Sequence, residues 1–138
     1  MAVVIETPIQ KRFSDVDSFL HVNNVAQQMY FDVGKTEYFR RLFSLVNVEE
    51  KKRIITVATQ TSYMGQIRLE DEVTVTTEAV AVGTTSIRLR QQLLCRTPDG
   101  REEVRTESFS VMVAFDFEKQ EKFPVPEQWR RRMEGSEQ

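Results

Sequence analysis

Residues Asp15 to Asn24, reading DVDSFLHVNN, bring together two carboxylates, the chain's single histidine and two side-chain amides. An apolar-rich run, VAQQMYFDVGKTEYFRRLFSL, follows at once. Asn23 and Asn24 suit a helix N-cap, because a short side-chain oxygen there accepts from the orphan N–H groups of the first turn. The stretch therefore reads as a polar loop that ends at a helix N-terminus. Such a terminus offers free backbone donors and a partial positive charge. Donors fixed there can hold a developing oxyanion, and a carboxylate a few residues upstream can reach the same substrate atom. The outline is catalytic without naming a reaction.

The elements that must position this loop follow from periodicity. Val3 to Phe13 reads as a first strand, with Pro8 marking an edge or a break. The helix is expected over about Val25 to Leu45, with Ala26, Met29, Tyr30, Val33, Tyr38, Leu42 and Leu45 near a 3.6-residue period and Phe31, Phe39 and Phe43 widening the stripe. Gly34 costs about 1 kcal/mol against alanine inside a helix, so a close backbone approach is expected there. Asn47 to Arg53 reads as a polar surface connection. After Arg53 the period changes to two. Strands are expected over Ile54–Tyr63, then Glu72–Gly83 with Val73, Val75, Ala79 and Ala81 on one side. The next carries Ile87, Leu89, Leu93 and Cys95 opposite Arg88, Arg90, Gln92 and Arg96. The last, Glu102–Phe117, carries Phe109, Val111, Val113, Phe115 and Phe117 at period two. Gly83-Thr84 and Pro98-Asp99-Gly100 supply turns. Glu127 to Met133 can form a short terminal helix. One long helix against an antiparallel sheet is an α+β architecture. One helix cannot cover both sheet faces, so a face or an edge is expected to pair with a second copy.

Composition sets the outer bounds. The 138 residues are expected to form one domain, residues 1–134, with 135–138 as a frayed tail. Hydrophobic content of 40% and charged content of 29% suit a globular protein. A net charge of −2 gives no general attraction for nucleic acid or anionic membranes. The single cysteine excludes an internal disulfide and a multi-thiolate metal site, and the single histidine excludes a multi-histidine one. The start, MAVVIETPIQKRF, lacks a signal peptide's plan, and no apolar run approaches the roughly 20 residues that span a bilayer. A cytoplasmic location is expected.

The cluster Asp15-Val-Asp17-Ser-Phe-Leu-His21-Val22-Asn23-Asn24, followed by a helix containing Tyr30-Phe31 and Thr36-Glu37, resembles the 4-hydroxybenzoyl-CoA thioesterase-like branch of the hotdog-fold acyl-CoA thioesterases. Tyr63 with Ile67 and Asp71, Gly83-Thr-Thr-Ser86 and Asp99-Gly100 extend the likeness. The resemblance implies a curved antiparallel sheet wrapped around a long helix. It implies homodimers or homotetramers with active sites at the dimer interface. It also implies hydrolysis of an aliphatic or aromatic acyl-CoA, with no metal or redox cofactor and CoA as part of the substrate. Asp17 would be general base or nucleophile. A backbone N–H near Asn24 would polarise the thioester carbonyl, and His21, Asn23, Asn24 and Val25 would hold the carbonyl and position the substrate. Three departures stand out: Leu20 replaces a usual glycine, Gln66 replaces a usual proline, and Phe19-Leu20 replaces the Asn-Pro pair of hotdog hydratases. The last argues against hydration.

Other readings stand beside these. Asp17 could be a turn-forming aspartate. Asp15 is expected to accept backbone N–H bonds, although an extended segment would place it on the same side as Asp17, where one of the two would titrate high. His21 reads as loop-fixing or substrate-lining rather than as a proton donor, because a thiolate is already a good leaving group. Thr59, Thr61 and Tyr63 are possible channel-lining residues on a strand read as central, or lie on an exposed face. Cys95 reads as core. Arg88, Arg90 and Arg96 read as a solvated strip paired with Glu102, Glu103 and Glu107, and Trp129-Arg132 as an amphipathic end. A non-catalytic acyl-thioester-binding or assembly protein, or an acyl-carrier-protein thioesterase, is the alternative function.

Overall fold

A computed structural model describes residues 2–43 and 51–136. The elements run β1 (Ile5–Ile9), a single 3-10 turn (Phe13–Asp15), α1 (Asn24–Phe43), β2 (Lys52–Tyr63), β3 (Glu72–Val82), β4 (Ser86–Arg96), β5 (Glu102–Asp116), β6 (Glu121–Lys122) and α2 (Glu127–Glu134). All the strand pairings are antiparallel, in the order β1-β3-β4-β5-β2, with β6 on the end of β5. The long helix packs on β1, β3 and β4. This is the hotdog arrangement expected from the sequence.

Two pieces of topology differ from the strand-after-strand reading. β2 does not pair with β3: the chain crosses over, and β2 lies at the sheet edge beside β5 alone. Its Thr59-Gln60-Thr61-Ser62 polarity is therefore that of an edge strand, not of a central one. The two-residue β6 is too short to leave a periodic signal. β1 is also shorter than expected, and Pro8 sits in it opposite Thr74 on the other sheet edge, the kind of strand that tolerates a proline.

The helix buries Ala26, Tyr30, Gly34 and Tyr38 together with Gln27, Phe31, Phe39 and Phe43. Met29 and Val33, expected inside, are exposed. The aromatic rings take the covered face because they remove more apolar area from water. Leu42 is half-buried, and Leu45 and most of the Asn47–Arg53 connection lie outside the described residues. At Gly34 a Cβ would fall 2.8 Å from both Val75 methyl carbons, so the helix backbone does approach β3 closely.

Two core clusters lie between helix and sheet. One joins Tyr38, Phe39 and Phe43 to Ile87, Leu89 and Met112, and is closed by Val125, Trp129 and Met133. The other joins Ala26, Tyr30 and Phe31 to Val73, Val75, Leu93 and Cys95, and it reaches Val22 and Ile67 beside the polar loop. Burial pushes the Cys95 thiol up to about 11, as suits a core residue. Alternation in β3 holds from Val73 to Ala79 and then breaks. A bulge between Ala79 and Ala81 places Ala81 opposite Arg88 on the solvent side, not with the core residues. On β5 the helix-facing residues are Thr106, Ser108, Ser110, Met112 and Ala114, and its larger residues alternate with them. Two arginines of the expected strip pair as ions, Arg90 with Glu78 and Glu107 and Arg96 with Glu102, whereas Arg88 lies over the Phe109 ring and Glu103 pairs with Arg101 and Arg105. Arg130 and Arg132 donate to the carbonyls of Val82 and Leu42, so the terminal helix is fastened back onto the domain. No helix among the described residues is long and apolar enough to cross a membrane. Residues 137 and 138 of the expected tail lie outside the described residues.

Candidate active site

The polar loop is built on a buried carboxylate. Asp15 is 3% exposed. Its Oδ2 accepts from the Arg12 N–H at 3.0 Å and the Tyr30 hydroxyl at 2.7 Å, and its Oδ1 accepts from the Arg12 guanidinium at 3.1 and 3.2 Å. Burial alone would raise its pKa. The Arg12 N–H, the Tyr30 hydroxyl and the guanidinium outweigh that and hold it below the usual carboxylate value. The expected structural role is therefore met. The alternative of two aspartates facing one site is not: Asp15 turns into the protein, Asp17 is exposed, and Asp15 titrates low rather than high. The Asp15 carbonyl also accepts from the Asn23 N–H at 2.9 Å, which ties the loop to the start of α1.

Asp17 opens a tight turn. Its N–H donates to the His21 carbonyl and its own carbonyl accepts from the Leu20 N–H, each at 2.9 Å. Its Oδ1 accepts from the N–H of Phe19 at 2.9 Å and of His21 at 3.4 Å, and Oδ2 takes neither bond. The turn-forming and catalytic readings thus use different oxygens of one carboxylate. Leu20 has φ +65°, the left-handed backbone for which glycine is the usual choice. Holding a leucine in that backbone costs about 1–2 kcal/mol. The Leu20 side chain is 74% exposed.

Asn23 is the N-cap. Its Oδ1 accepts from the Ala26 N–H at 2.7 Å, and its carbonyl accepts from the Gln27 N–H at 3.1 Å. The N–H groups of Asn24 and Val25, first in the helix, have no acceptor within it. Asn24 and Val25 border a cleft of about 600 Å³ together with Asp17, His21 and Asn23. The opposite wall is Tyr63 at the end of β2 and the segment Met64-Gly65-Gln66. That segment is pinned from behind. Met64 and Gly65 donate to the Arg105 carbonyl, while the Arg105 guanidinium bonds the Gln66 carbonyl and the buried Asp71 carboxylate at 2.9 Å. Val22 donates to the Ile67 carbonyl at 2.7 Å, which joins the two walls.

The structure thus brings Asp17, His21, Asn23, Asn24, Val25 and Tyr63 to one cleft. Thr59 and Thr61 are not on its wall. They face Ser110 and Ser108 across the β2–β5 ladder, and Thr61 is linked to the cleft residue Tyr63 by Gln28, which donates to both. The sequence reading passes over Gln27 and Gln28. Gln27 lines the cleft, is buried, accepts from Thr106 at 2.6 Å and donates to the Val22 carbonyl. An amide pair on the apolar side of a helix is the signal that marks them. Among the described residues no group of three or more His, Cys, Asp or Glu could hold a metal.

The arrangement can do one thing well. It puts the Asp17 carboxylate, with Oδ1 tied into its turn, on the same cleft as the first two residues of α1, and backbone N–H groups at a helix start are donors of the kind that hold a developing negative charge.

Comparison with known proteins gives the family and the fold. Residues 12–133 match a family described as the thioesterase-like superfamily. An uncharacterized protein, YsmA of Bacillus subtilis, is 28% identical over 81 residues, 59% of this chain; the match spans about half, 54%, of that relative's length. A predicted thioesterase from Bacillus stearothermophilus superposes with a TM-score of 0.82 at 24% identity, over 97% of this chain and 96% of the other. The 4-hydroxybenzoyl-CoA thioesterase of Pseudomonas sp. strain CBS-3 does so at 0.82 and 18% identity, over 94% and 98%. A thioesterase from Thermus thermophilus, complexed with coenzyme A and zinc, gives 0.79 at 25% identity, over 95% and 92%.

Proposed function

The chain belongs to the thioesterase-like superfamily, and from that premise we propose that it hydrolyses an acyl-CoA thioester at the Asp17 cleft. One observation carries the reading: Asp17 and the first-turn donors of α1 border the same cleft, with Asn23 already fixing the helix end. The thioester carbonyl oxygen would lie on the Asn24 and Val25 N–H groups. Asp17 would take the proton of a water attacking the carbonyl carbon, or attack that carbon itself and form an anhydride that water then opens. Either path passes through an oxyanion that those donors stabilise. Collapse breaks the C–S bond and expels the CoA thiolate, which needs little help from an acid, so His21 serves to shape the loop and line the site. The coenzyme A in the Thermus thermophilus thioesterase and the 4-hydroxybenzoyl-CoA in the name of the Pseudomonas enzyme supply the substrate class by analogy.

We also propose that two copies join along the open edge of β2. Support comes from the strand itself: twelve residues long, paired on one side only, with Val57 56% exposed. Tyr63 ends that strand, so such pairing sets the site at the interface.

Release of free thiol from a panel of aliphatic and aromatic acyl-CoAs tests the function. Turnover with loss of the thioester absorbance supports it. A bound thioester that persists, or water added to an enoyl-CoA with the thioester retained, overturns it.

A further inference from the structure

Gln28 projects from α1 toward β2. Its Nε2 donates to Thr61 Oγ1 at 2.9 Å and to Tyr63 Oη at 3.0 Å. Both amide hydrogens are thereby used. Thr61 Oγ1 is in turn 3.0 Å from Ser108 Oγ on β5, so one polar chain runs from the helix through the edge strand to its neighbour. A phenol oxygen that accepts from an amide keeps its own O–H for donation. Tyr63 is 41% exposed and lines the same cleft as Asp17 and Asn24. Its donor is therefore available to a molecule bound there.

We propose that Gln28 is a positioning residue that fixes the Tyr63 phenol as a hydrogen-bond donor to a neutral oxygen of the substrate. That oxygen is a hydroxyl or oxo group on the acyl chain, or an amide carbonyl of the pantetheine arm; both are uncharged acceptors. A neutral acceptor is specified because the Asp17 carboxylate shares the cleft and repels an anionic substituent. A phenol left free would lose rotamer freedom on binding, whereas a phenol already held by Gln28 does not. The inference rests on the thioesterase reading of this cleft.

Steady-state thiol release from three substrates tests it: a hydroxyacyl-CoA, the unsubstituted acyl-CoA of equal length, and the ethanethiol thioester of that unsubstituted acid. Wild type, Tyr63→Phe, Gln28→Ala and the double variant are compared, with thermal melts of each. The expected result is a roughly tenfold fall in kcat/KM for Tyr63→Phe, carried by KM. Gln28→Ala is expected to lose a similar factor, and the double variant no more than Tyr63→Phe alone. Loss confined to the hydroxyacyl-CoA places the acceptor on the acyl chain; loss on both CoA substrates but not on the ethanethiol thioester places it on pantetheine. Tyr63→Phe matching wild type on all three, or losing the same factor on the ethanethiol thioester, overturns the inference alone. Silence of wild type on all three overturns the hydrolase reading and this inference with it.

Discussion

Asp15 and Asp17 are two residues apart and do opposite work. Asp15 has both oxygens occupied by Arg12 and Tyr30, while Asp17 leaves one oxygen out of its turn. Because the folded pKa of Asp15 lies below its unfolded value, its stabilisation is fully present above the unfolded pKa and is lost as pH falls through the folded one. Asp15→Asn removes the charge from bonds of this kind and is expected to cost about 2 kcal/mol near neutrality. It should also flatten the acid limb of stability against pH, as urea unfolding between pH 3 and 7 would show. An unchanged acid limb would mean that another carboxylate sets it. Asp15's role is legible in the sequence because a loop that enters a helix must satisfy its own N–H groups. The Asn23 cap is legible for the same local reason.

Long-range features of the elements leave weaker traces. Gly34 announces a close approach, but only the structure names Val75 as the neighbour. Gly34→Ala improves helix propensity by about 1 kcal/mol and drives a methyl group into both Val75 methyls, an overpacking cost of about 1–3 kcal/mol. The net expectation is a lower melting temperature, restored by adding Val75→Ala, which empties the contested space. A Gly34→Ala variant that melts higher than wild type would show that β3 gives way easily. Similarly, the periodicity of β2 identifies a strand without saying which strands flank it, because the β2–β3 crossover is not a local property. The bulge that turns Ala81 outward and the link from Gln28 to Tyr63 escape for the same reason. Each depends on a partner on another element, whereas periodicity sees only neighbours along one element. The exposed Met29 and Val33 show the limit inside one helix: its apolar stripe is wide, and competition among side chains decides which part is covered.

At the scale of the whole molecule, the helix covers one half of the sheet and β2 runs along the other edge with one side open. If two copies join there, a charge on that edge should part them. Val57→Asp is expected to shift sedimentation from dimer to monomer and to lower thiol release in parallel, since Tyr63 closes the cleft from the end of the same strand. A dimeric Val57→Asp variant would place the contact elsewhere. The central claim is that the Asp17 carboxylate acts on a thioester held at the start of α1. Its most direct test is thiol release from the preferred acyl-CoA by wild type and Asp17→Asn side by side, with melting curves of both. The asparagine keeps the Oδ1 acceptor that shapes the turn and removes the charge to which the proposal assigns the chemistry. The expected result is a folded variant with kcat lower by about 10²–10⁴-fold. A folded variant as fast as wild type would contradict the account.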